Sequence, residues 1–179
     1  MPISALNLWV PALSLDCRCE TAYFAHASGA PEPGQLGHGP DAPLIIHASC
    51  VAFGGAAVGI LGPSGQVKSG LALQLMALGG ALVADDRTCL WRQDGQLMAD
   101  APAPLRGRIE ARGVGILNAR ANGPAPLRLW VDLAQKETQR LPPMRQCSCL
   151  GLSRPVLHNV DSAYFPAAIL QYLAVGRSE

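Results

Sequence analysis

Residues 56–86 read AAVGILGPSGQVKSGLALQLMALGGALVADD, and the reading of this stretch decides the fold. AAVGIL is apolar throughout, which predicts a buried strand, and it runs directly into GPSGQVKS at 62–69. That octet fits the phosphate-loop pattern GxxxxGK[ST], except that Val67 stands where the second glycine belongs. Beyond it, Leu71, Leu75 and Leu78 recur at helical spacing and the pattern stops at Gly79-Gly80. ALVADD then predicts a short strand ending in two carboxylates. Strand, glycine loop, helix and strand make a βαβ unit, whose strands are expected to be parallel in one sheet.

Outward from this unit, LIIHASCVAF at 44–53 predicts one strand, with a turn at Gly54-Gly55. TCLWRQDGQLMA predicts a hairpin turning at Asp94-Gly95. GRIEARGVGILNA predicts a carboxylate-bearing turn and a strand, PLRLWVDLA another strand, and SAYFPAAILQYLAVG a closing helix. Residues 25–43 are rich in Gly, Pro and Ala without periodicity, which marks a linker. The expectation is an extension over 1–43 and a single α/β phosphate-loop domain over 44–179, with a mixed, mostly β central sheet and flanking helices.

The totals narrow the function. At 179 residues there is room for one domain with a real core. Lys+Arg 14 against Asp+Glu 13 gives no broad basic surface for nucleic acid. No apolar run reaches the roughly 18 residues of a membrane span. The first twenty residues lack a basic start and are broken by Pro2 and Pro11, so a signal peptide is not expected and the protein is read as cytoplasmic. Two C-x-C pairs, at 17/19 and 147/149, have the wrong gap for a structural zinc site and are read as reduced thiols.

The loop predicts chemistry of its own. Consecutive N–H groups at a helix N-terminus cradle phosphate, Lys68 would reach the β- and γ-phosphates, and the Ser69 hydroxyl would ligate Mg²⁺. Asp85 and Asp86 end the next strand, at the sheet edge where α/β ligand crevices lie. One would hold the metal while the other takes a proton.

Three blocks resemble the bifunctional HPr kinase/phosphorylase family. They are HASCVAFGGAAVGILGPSGQVKS, LALQLMALGGALVADD, and IEARGVGILNA, which is similar to the family signature L-E-V-R-G-L-G-I-I-N-V. A looser likeness, PLRLWVDL followed by RLP, extends to about residue 142. The resemblance implies a short form carrying only the C-terminal catalytic domain of the family. It implies an ATP- and Mg²⁺-dependent serine kinase acting on HPr, the phosphocarrier of the sugar phosphotransferase system, with phosphorolysis in reverse and hexameric assembly. It further implies that Gly62, Pro63, Ser64, Gly65, Gln66, Val67, Lys68 and Ser69 bind the nucleotide, and that Ser69, Glu110 and Asp85 serve the metal. Asp86 would be the catalytic base, with His47 beside it and Lys68 on the phosphates; Arg112 would steady the nucleotide or the fold.

Three departures separate the chain from that family. Val67 replaces a glycine that lets backbone approach phosphate, and its branched side chain is expected to narrow the cradle. No basic P-x-K-P-G-R-N segment is found near the C-terminus, which favours kinase over phosphorylase chemistry. No family N-terminal domain is recognised in 1–43. The alternative reading is therefore a non-catalytic or nucleotide-binding-impaired regulatory homologue, and a third is a phosphate-loop kinase of a small molecule.

Overall fold

The computed structural model describes residues 43–65 and 67–178. The extension, the first C-x-C pair and Gln66 lie outside the described residues. Eleven strands and two α-helices are seen among them: β1 (Leu44–Ile46), β2 (Ser49–Phe53), β3 (Ala56–Leu61), α1 (Lys68–Ala77), β4 (Ala81–Ala84), β5 (Thr88–Gln93), β6 (Gln96–Asp100), β7 (Arg108–Ala111), β8 (Gly115–Asn118), β9 (Ala125–Lys136), β10 (Gln146–Cys149), β11 (Leu152–Asn159) and α2 (Phe165–Val175). Nine strands form one mixed sheet along β1-β5-β6-β9-β3-β2-β4, with β11 joining β9 and β10 pairing β11. The fold is α/β, as the pattern predicts, and the sheet is mostly antiparallel.

The predicted βαβ unit is present with one strand interposed. Strand β2 lies between β3 and β4 and is antiparallel to both, so β3 and β4 run parallel without pairing. Strand β3 is buried on both faces, as its unbroken apolar run requires. Val58 and Ile60 join Leu71 and Leu75 of α1 and Phe165 and Ile169 of α2 in one core, while Ala57 and Leu61 join Leu127 and Trp130 in the other. Gly59 is needed where it stands, because a Cβ there would sit 2.3 Å from Cζ3 of the Trp130 ring.

Three expectations are corrected. LIIHASCVAF is two strands, since the chain leaves β5, the partner of β1, and bends at His47 to join β3 and β4. Glu110 lies in a strand, not a turn: β7 and β8 form a separate two-stranded ribbon with Glu110 opposite Ile116. The β10–β11 hairpin was not expected, because Gly151, Pro155 and a polar mixture hide its alternation. Cys147 and Cys149 are buried on the inner face of β10 and pack in the core.

Strands β3, β9 and β11 are mutually parallel, and Leu61, Asp132 and His158 lie in one row across them. Their carboxyl ends therefore share one edge of the sheet, and the phosphate-loop octet leaves from that edge at Gly62.

Candidate functional site

The helix that follows the loop starts without an internal anion. Val67, its N-cap, makes no side-chain capping hydrogen bond, and no acidic residue stands in the first turn. The helix itself thus supplies no carboxylate to its positive end, which faces the loop, an arrangement that favours a bound phosphate. Lys68, in the first turn, is almost fully buried, and its ammonium bends back over the loop. It donates to the carbonyls of Gly62 and Pro63 at 3.3 Å each and to His47 Nε2 at 2.8 Å. Burial lowers the Lys68 pKa from its ordinary value, while the nearby Asp86 and Asp85 charges pull it back up.

An ammonium can only donate, so His47 Nε2 accepts and the ring proton sits on Nδ1. From there it is directed at Asp86, 2.9 Å from Oδ1 and 3.1 Å from the backbone carbonyl. A lysine, a neutral imidazole and a carboxylate thus form one hydrogen-bonded run.

Asp85 forms the second half of the site and is 6% exposed. Its Oδ1 accepts from Ser49 Oγ at 2.6 Å and from Ser69 Oγ at 2.8 Å. Its Oδ2 accepts from the Glu110 backbone N–H at 3.0 Å and again from Ser69 at 3.1 Å. Because Ser69 donates its proton to Asp85, the hydroxyl lone pairs remain free to face a cation. Glu110 is brought beside Asp85 by its backbone, and its side chain is exposed. Among the described residues no group of three or more His, Cys, Asp and Glu side chains could hold a metal alone.

Asp86 has a backbone φ of 64°, left-handed for a non-glycine residue. The Arg87 N–H bonds back to the Asp85 carbonyl at 2.7 Å, closing a tight three-residue turn around Asp86. Strain of this kind concentrates at functional sites.

The loop itself is held from outside. Arg112 Nη1 donates to the Gly65 carbonyl at 3.2 Å, so this arginine steadies the loop backbone. Val67 turns its side chain outward, 67% exposed, with Cγ1 3.3 Å from the place a Cβ would take on Gly70. Its methyls lie over the helix start, and the glycine at 70 makes room for them. Pro63, Ser64 and Gly65 form the exposed outer turn.

Sequence reasoning missed Ser49. Its signal was a hydroxyl within an otherwise apolar stretch, two residues after His47.

Known proteins resemble the chain over the same stretch of sequence. A family model described as HPr Serine kinase C-terminal domain matches residues 42–124. Over that segment, somewhat under half of its length, the chain is similar to the HPr serine kinase C-terminal domain family. It is 45% identical over 74 residues to the HPr kinase/phosphorylase of Pediococcus pentosaceus, covering 41% of this chain and 24% of that protein. It is 33% identical over 125 residues to the HPr kinase/phosphorylase of Neisseria meningitidis, covering 65% of this chain and 39% of the relative. The chain thus spans well under half the length of these curated relatives. The solved HPr(Ser) kinase/phosphatase from Coxiella burnetii superposes with a TM-score of 0.63 at 25% identity, covering 71% of this chain and 86% of that one. All four blocks of the site, around residues 47–49, 62–69, 85–86 and 110–112, fall inside the matched segment.

Proposed function

We propose that the protein is an ATP-dependent kinase that transfers the γ-phosphoryl group to a serine hydroxyl of HPr. The observation that carries the reading is the hydrogen-bonded run from Asp86 through His47 to Lys68, set beside a phosphate-loop sequence and a serine–aspartate pair. The printed names of the relatives support HPr as acceptor.

Mg-ATP would supply the phosphoryl group and neutralise charge as it moves. The chain's residues do the rest. Lys68 exchanges two long carbonyl contacts for phosphate oxygens, a stronger charge-assisted pairing. Asp85 holds the Ser69 hydroxyl with its lone pairs outward, and Glu110 stands next to it as a further oxygen ligand. Asp86, 68% exposed at its side chain, faces solvent where an acceptor serine would arrive. His47 takes one of its carboxylate oxygens, which leaves the other to accept the serine proton. Catalysis of this kind is positioning and charge stabilisation. Cytoplasmic location and oligomeric assembly belong to the same reading. Among the described residues no helix is long and apolar enough to cross a membrane.

The test is incubation with labelled ATP, Mg²⁺ and HPr. A serine of HPr becomes labelled, and Asp86→Ala abolishes the label while the fold, followed by circular dichroism, persists. Unlabelled HPr with the wild-type protein, together with no binding at millimolar Mg-ATP, would instead select the nucleotide-impaired regulatory homologue that Val67 suggests.

A further inference from the structure

A groove of about 280 Å³ lies between the segment 137–145 that follows β9 and the helix α2, floored by β11. None of His47, Lys68, Asp85 and Asp86 lines it. It opens at the same edge of the sheet as the phosphate loop, because His158 on its floor is in row with Asp132 and Leu61. Two strand spacings put this floor about 10 Å from β3, so the groove is a neighbour of the loop and separate from it.

The charges in the groove do not balance. Arg140, Arg145 and Arg177 line it against one carboxylate, Glu137. Glu137 is already committed: Oε2 accepts Arg145 Nη1 at 2.6 Å, and Oε1 accepts the backbone N–H groups of Thr138 and Gln139 at 3.0 Å each. Burial tends to raise the Glu137 pKa, but the Gln139 N–H, Arg145 and the Thr138 N–H outweigh it and hold the group below its ordinary value. Arg140 and Arg177 form no ion pair among the described residues, and both lie at the groove. Between these cations the walls are apolar and aromatic, with Met144, Val156, Phe165, Ala168, Tyr164 and Tyr172.

We propose that this groove is a second ligand site, and that it takes a small organic anion: a carboxylate or phosphate head on an apolar, ring-sized body. The unpaired guanidiniums would clamp the head, for which Arg is suited by its fork of donors. The aromatic and aliphatic walls would cover the body. The volume is at the low end for ligand pockets, which fits a one- or two-ring molecule and argues against a nucleotide.

The probe is 2-naphthoate, with neutral 2-naphthalenemethanol as its control, titrated into the full chain and followed by naphthalene fluorescence and calorimetry. Naphthoate is expected to bind at least tenfold more tightly than the alcohol. The double variant Arg140→Gln/Arg177→Gln removes that preference and leaves alcohol binding unchanged, whereas Ala168→Trp, an exposed position, fills the groove and weakens both ligands. Saturating Mg-ATP leaves naphthoate binding intact. Equal affinity for the two probes, an unchanged naphthoate affinity in the arginine double variant, or displacement by Mg-ATP each overturns the proposal. Should Ala168→Trp fail to fold, the arginine variant decides alone, since both arginines are free of ion pairs among the described residues.

Discussion

Ser49→Ala isolates the contact that the sequence concealed. Ser49 is fully buried on β2 and donates to Asp85 Oδ1 at 2.6 Å. A hydrogen bond to a buried charge contributes about 1.5–3 kcal/mol. Asp85 retains the Ser69 hydroxyl and the Glu110 N–H, so the carboxylate is not left bare, and the loss is set near the middle of that range, about 2 kcal/mol. For a chain of this size such a loss lowers the melting temperature by about 4–8 °C. Urea and thermal unfolding of wild type, Ser49→Ala, Asp85→Ala and the double variant form a cycle. Asp85→Ala alone is costlier, because it orphans two hydroxyls and an N–H. The double variant should then cost less than the sum of the singles by about 1–2 kcal/mol, the coupling expected of residues in direct contact. Additivity within about 0.3 kcal/mol would refute the argument, since it would mean that Ser49 is stabilised by its strand and not by the carboxylate.

Four further outcomes follow from the same geometry. Val67→Gly is expected to tighten Mg-ATP binding about tenfold or more by calorimetry, by restoring close backbone approach. In that background Gly70→Ala gains the usual helix-interior advantage of about 0.5–1 kcal/mol, and gains less with Val67 present, because its Cβ meets Val67 Cγ1 at 3.3 Å. Asp86→Gly should melt higher than Asp86→Ala by the equivalent of about 1 kcal/mol, since only glycine adopts φ 64° freely, and neither should label HPr. His158 has a pKa lowered from 6.5, first by burial and then by Arg145. The unfolded chain therefore binds the proton more readily, and wild type loses stability relative to His158→Gln as the pH falls below 6.5, with the difference between them constant above it.

What was legible was whatever rested on uninterrupted local pattern. The run from Ala56 to Ala84 reads correctly because its strands are apolar without gaps and its helix has leucines at one spacing. The break at His47 was illegible because it depends on which strand pairs with which. The chain must drop β5 as a partner before it can take up β3, and no residue between Leu44 and Phe53 announces a turn. The β10–β11 hairpin was hidden for the opposite reason: Leu150 takes a left-handed φ of 51° beside Gly151, and Pro155 interrupts an otherwise plausible strand. Of the candidate site, the proximity of Lys68, Ser69 and the aspartates was anticipated from the motif, whereas Ser49 and the contact of Arg112 with the loop appear only when strands distant in sequence are folded together.

The turn at Asp86 explains how two adjacent carboxylates can serve one site. In an extended strand, consecutive side chains point to opposite faces, so Asp85 and Asp86 would be separated by the sheet. The left-handed residue reverses the chain immediately after Asp85, and both carboxylates then meet the same short stretch, Asp86 at His47 and Asp85 at Ser49. Those two positions flank the bend between β1 and β2, which brings both side chains to the pair. The division of labour follows from depth. The inner carboxylate, 6% exposed and saturated with donors, is placed to hold Ser69. The outer one is bound by a single imidazole and open to solvent, and in the proposed reading it is the one that would accept a proton from an incoming hydroxyl. A pair of equally buried aspartates would repel each other and could not divide the two tasks in this way.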